Sequence, residues 1–165
     1  MKYRTDFVTN SSSSSFIVAF SSREEGIKYF NNKRQQDELF SYVVRDFDDA
    51  DNMSLEDILK YAEEEFESAT FYTLMCKPYE SYPDFMEYLK NKYEGISYKN
   101  IIEHPEFKAE QAKLIQKYMD EFKEKIKGMT CFAVLEYGDD TDNTAKLEHS
   151  IMPQLDCTIQ TFNHH

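Results

Sequence analysis

Ser11-Ser12-Ser13-Ser14-Ser15-Phe16-Ile17-Val18-Ala19-Phe20 joins five consecutive hydroxyl side chains to five consecutive apolar ones. The apolar half is short, rich in aromatic and β-branched residues and preceded by polar neighbours, so it predicts a strand. A second run of this kind, Cys131-Phe132-Ala133-Val134-Leu135-Glu136-Tyr137, lies toward the other end of the chain, and Asp156 to Phe162 reads as a third. Between them, Gly138 to Asn143 carries the Asp and Asn content of a turn leaving the second run.

The middle of the chain changes period. Ser54 stands as an N-cap before Leu55, Ile58, Leu59, Ala62 and Phe66, with Asp57 three residues on. Pro83 opens a second helical pattern, Phe85, Met86, Leu89 and Tyr93, which Gly95 ends. A third runs from near Pro105 to Gly128 with Phe107, Leu114, Ile115, Tyr118, Phe122 and Ile126 on one face. Strand signals at the ends and helices between them predict an α+β fold, a small antiparallel sheet of terminal strands covered by about three helices from the middle of the chain. A length of 165 residues suits one folding unit, strand-rich at 16–20 and 130–162 and mainly helical at 54–127.

Charge is unevenly spread. Ten of the 31 acidic residues but one of the 19 basic ones fall between Asp46 and Glu67, so a nearly balanced chain carries one strongly acidic segment within its net charge of −12. Such a segment repels a phosphate backbone and argues against direct nucleic-acid binding, while it suits a basic protein partner or an inhibitor that mimics nucleic acid. Asp46, Asp48, Asp49, Asp51, Glu63, Glu64 and Glu67 form the candidate acidic face. A calcium loop does not account for them: counted from Asp46, an EF-hand would have Ala50 at a ligand position and Asp51 where the turn needs Gly. The lysines of the third helical pattern interleave with glutamates and make no basic groove.

No apolar run is long enough to span a bilayer, and polar residues at 9–15 interrupt what would have to be a signal peptide. Cys76, Cys131 and Cys157 are odd in number and far apart, which points to reduced thiols and a cytoplasmic protein.

Lys2-Tyr3-Arg4-Thr5-Asp6-Phe7-Val8-Thr9-Asn10, continuing through the serines to Phe16-Ile17-Val18, resembles an N-terminal signature of small uncharacterised bacterial proteins. The stretch Leu147-Glu148-His149-Ser150-Ile151-Met152-Pro153, with the close Phe162-Asn163-His164-His165, is similar to endings in the same group. The resemblance implies family membership and favours a native ending over a truncated purification tag at His164-His165, the two alternatives for the terminal histidines; it carries no activity.

Three readings apply to Ser11, Ser12, Ser13, Ser14 and Ser15. The plainest is a polar turn or connector. The second is a modification or recognition site, with hydroxyls open to a kinase. The third is an anion site, which the lack of glycine within the run disfavours. A serine hydrolase lacks both a Gly-x-Ser-x-Gly elbow and a Ser-x-x-Lys start here. His149, Cys157, His164 and His165 are competent ligands for a zinc-like ion, joined by Cys131, but their spacing matches no compact zinc motif. No cofactor is therefore expected from spacing, a zinc-like metal being the one these residues could hold, in a small metal- or anion-dependent enzyme. Among the tyrosines around the second helix, Tyr79, Tyr82 and Tyr88 are left over from core packing as candidate contacts. The function these features favour is a non-enzymatic interaction or adaptor protein acting through the acidic segment or the serine-bearing N-terminus.

Overall fold

The structure, a computed structural model, describes residues 13–76 and 85–164. In chain order these form β1 (Ser13–Phe20), α1 (Arg23–Arg34), α2 (Phe40–Asp49), α3 (Leu55–Cys76), α4 (Phe85–Lys92), α5 (Tyr98–Ile102), α6 (Pro105–Lys125), β2 (Cys131–Gly138) and α7 (Asp142–Lys146). A π-helical turn (Leu147–Ile151) and a 3-10 turn (Met152–Gln154) lead into β3 (Thr158–His164). The α+β class and the antiparallel sheet of terminal strands are as the sequence predicts. Contacts divide the chain into two compact units, Met1–Leu55 with Ile126–His165, and Glu56–Lys125, the second inserted in sequence into the first.

In the first unit the sheet order is β2-β1-β3, so β1 has a partner on each edge. Phe16 pairs with Leu135 and Thr161, and a register shift between Ile17 and Val18 marks an irregularity on the β3 side. Side chains alternate across a strand, so Ser14, Phe16, Val18 and Phe20 share a face with Tyr137, Leu135, Ala133 and Cys131. Apart from Ser14, these residues pack in one core with Phe30, Phe40, Val43, Phe47, Leu147, Met152 and Cys157. Helices α1 and α2, which hydrophobic spacing did not reveal, thus cover this face. Rings of Phe20, Phe30 and Phe47 meet at 5.6, 5.5 and 5.1 Å between centroids. Arg23 holds the pair of helices together: its Nη2 donates toward the carbonyls of Phe47, Asp48 and Ala50 at 2.9, 2.8 and 3.1 Å, and its guanidinium lies over the Phe47 ring. These are carbonyls that a helix end leaves without intrahelical donors.

The serine run is not a loop where it is described. Ser13, Ser14 and Ser15 continue β1, paired with Gly138, Tyr137 and Glu136 on one side and His164, Asn163 and Phe162 on the other. Ladder hydrogen bonds from two neighbouring strands outweigh the turn preference of serine. The sequence-based strand starting at Phe16 was therefore three residues short.

The second unit gathers Leu74, Met86, Leu89, Ile101, Phe107 and Leu114 into its own apolar cluster. On α3 the buried residues Ile58, Ala62, Phe66, Thr70 and Leu74 recur at helical spacing, and Phe66 meets Tyr118 and Phe122 of α6. Ser97 caps α5 by accepting from the amide of Asn100. Glu106 at the start of α6 accepts from Lys92 at 2.8 Å and from the Tyr93 hydroxyl at 2.5 Å, which holds its carboxyl below the usual range. No described helix is long and apolar enough to cross a membrane.

Candidate functional site

The polar end of the sheet begins with the two buried serines. Ser14 is 3 % exposed and Ser15 fully buried. Strand alternation sends their hydroxyls to opposite faces. Ser14 Oγ lies 2.7 Å from Glu148 Oε1 and 3.0 Å from Asn163 Oδ1. A hydroxyl has one proton, and the charged oxygen is the stronger acceptor, so Ser14 donates to Glu148. Ser15 Oγ lies 2.7 Å from His164 Nε2 and 3.5 Å from Glu136 Oε1.

Glu148 is placed by a rare element. Thr141 caps α7 with a reciprocal box to Thr144, and the chain then widens into a π-helical turn in which the Met152 amide donates to the Leu147 carbonyl. Such turns insert a residue into a helix and recur at functional sites. Here consecutive residues face differently: Leu147 and Glu148 point inward, His149 outward. Glu148 is 2 % exposed, a carboxylate packed beside an apolar core. Its Oε1 accepts the Ser14 hydrogen bond; its Oε2 is buried with no hydrogen-bond partner. His149 Nε2 lies 3.7 Å from that Oε2 and 2.8 Å from Asp139 Oδ1, Asp139 following directly on β2. Asp139, Glu148 and His149 each offer one ligand atom within 4.8 Å of the others, the sole such group found among the described residues.

Chemically the two faces differ. Ser15 and His164 have the pairing of a nucleophile and base, but a fully buried Oγ is out of reach of any substrate, so the pair ties β1 to β3. The Glu148 face combines an inner carboxylate with an imidazole and a carboxylate that are half-exposed, a donor set open to solvent on one side.

The other predicted residues lie as follows. Ser11, Ser12 and His165 fall outside the described residues, as do Tyr79 and Tyr82. Burial of Ser14 and Ser15 keeps those hydroxyls from a modifying enzyme in the folded chain, and Ser13 is half-buried. Cys157 belongs to the core, where burial pushes its thiol up to about 12, and it is not in the cation-ligand group with His149. Asp46 accepts from Arg45 at 2.8 Å, and Asp48, Asp49 and Asp51 are exposed in the first unit. Glu63, Glu64 and Glu67 are exposed on α3 in the second unit. Tyr88 is exposed, stacked on Phe85 and under Lys92. Asp139 and Glu148 escaped sequence reasoning; the only local signal was the adjacent Glu148-His149 pair, and nothing in that dipeptide says which side chain turns inward.

Protein-family models, curated proteins and solved structures were compared with the chain, and none matches.

Proposed function

We propose that this chain is a non-enzymatic interaction protein that engages a basic partner protein in the cytoplasm through the acidic outer face of α3. The observation that carries this reading is the composition of that face. Glu56, Asp57, Glu63, Glu64 and Glu67 are all exposed while the apolar stripe of the same helix is buried, and Lys60 is the single basic residue of the helix. The Lys60–Glu64 pair, 4.0 Å apart with both side chains exposed, neutralises little of it. Tyr72, 64 % exposed further along α3, adds the aromatic contact that interfaces favour beside their charges. Free cysteines at Cys131 and Cys157 accord with a reducing compartment.

Affinity capture with the intact chain, at about 0.15 M salt where only close charges act, tests it. A variant carrying Glu56→Gln, Glu63→Gln, Glu64→Gln and Glu67→Gln should lose the captured partner, and the association rate of the purified pair should fall about tenfold or more, as loss of steering predicts. Equal capture and an unchanged rate would overturn the proposal.

A further inference from the structure

We propose that Asp139, Glu148 and His149 form a binding site for a borderline divalent cation of the zinc class. The need for a cation arises at Glu148. Its Oε1 is satisfied by Ser14, but its Oε2 is buried and has no hydrogen-bond partner. An ionised carboxylate held in this way keeps a large part of its desolvation penalty. A cation bound at Oε2 removes it.

The surrounding atoms suit that role. Ligands about 2.1 Å from a tetrahedral ion stand about 3.4 Å from one another. The distances from His149 Nε2, 2.8 Å to Asp139 Oδ1 and 3.7 Å to Glu148 Oε2, lie on either side of that spacing, and all three ligand atoms lie within 4.8 Å of one another. Asp139 and His149 are half-exposed, whereas Glu148 is fixed by burial and by Ser14. The Ser14 hydroxyl thereby acts as an outer partner that orients an inner ligand. On binding, His149 would give up its contact with Asp139 and present the Nε2 lone pair, and the two carboxylates would balance the charge of the ion. One imidazole with two carboxylates favours zinc or manganese; calcium needs more oxygen ligands than three side chains provide. Water would fill the open side.

The test uses the full chain purified without nickel resin and dialysed against chelator. Zinc alone, manganese alone and calcium alone are titrated, with bound metal measured by elemental analysis after equilibrium dialysis and manganese broadening followed by amide NMR. One zinc per chain is expected, with calcium alone not retained on dialysis and manganese broadening centred on Asp139, Glu148, His149 and Ser14. His149→Ala and Asp139→Asn, both at exposed positions, should each weaken zinc about tenfold or more, and Glu148→Gln at least as much. His164→Ala with His165→Ala should leave zinc stoichiometry and affinity unchanged, which separates the site from the terminal histidines. The proposal is overturned if zinc does not bind stoichiometrically, if binding survives His149→Ala, or if it vanishes with the terminal pair. It does not depend on the acidic helix, whose variant should bind zinc normally.

Discussion

Gly26 lies inside α1, where alanine would ordinarily be preferred by about 1 kcal/mol. The reason for glycine is proximity: a Cβ there would stand 2.5 Å from Phe47 Cζ and 2.8 Å from Phe20 Cδ2. Both rings are buried and edge against each other and against Phe30, so neither can retreat without disturbing the cluster. Gly26→Ala should therefore destabilise the protein by about 1–3 kcal/mol despite its better helix propensity, measured by chemical denaturation; a stabilised variant would contradict the packing. Ser14 presents the opposite case, a polar group needed where an apolar one would fit. Ser14→Ala leaves Glu148 without its donor and should cost about 1–3 kcal/mol, with a larger loss when zinc is present, because a ligand no longer oriented by Ser14 binds the ion more weakly. An equal loss with and without chelator would disconnect Ser14 from the cation site.

Helix α7 has five residues and cannot hold its shape by propensity alone. Its reciprocal box between Thr141 and Thr144 satisfies amides at its start, and the π-helical turn that positions Glu148 and His149 follows without a break. Thr141→Ala should cost about 1 kcal/mol and raise amide exchange across 142–151 more than in β1. If exchange rises evenly through the sheet as well, the cap supports the fold and not the turn in particular. Arg23 has a similar duty at the end of α2, where it substitutes for the donors that a continuing helix would supply.

For the first unit as a body, alkaline pH is the relevant stress. Burial raises Cys157 and Tyr29 to about 12, with the Cys157 and Asp156 charges adding to the rise at Tyr29, and it pushes Tyr137 up as well. The folded chain thus favours the neutral forms. Its stability from these groups is complete below about pH 8.5, where an unfolded cysteine begins to ionise. It is lost as pH rises from there toward 12, since the unfolded chain releases its protons first. Near-ultraviolet circular dichroism in denaturant should show the midpoint falling over that window. Cys157→Ala should flatten the lower part of the fall; an unchanged pH slope would mean that Cys157 is not buried as described.

Local periodicity was enough for β2, the helical stretches beginning near Leu55 and Pro105, and the acidity of α3, because each is written in consecutive residues and hydrophobic spacing acts over a few turns. Side-chain chemistry, and not period, marked His149 as a candidate ligand. Periodicity was not enough for α1 and α2, whose apolar residues are few and aromatic, nor for Ser13–Ser15, which are strand only because two distant segments pair with them. The candidate cation site was legible in one residue of three. Asp139 and His149 are ten positions apart, Ser14 more than a hundred from Glu148, and burial of a carboxylate arises only when a π-helical turn is laid against the finished core. Short-range pattern therefore determined the elements and the charge, while long-range pairing alone decided which polar groups were taken out of water, and it is that desolvation which gives the site its chemistry.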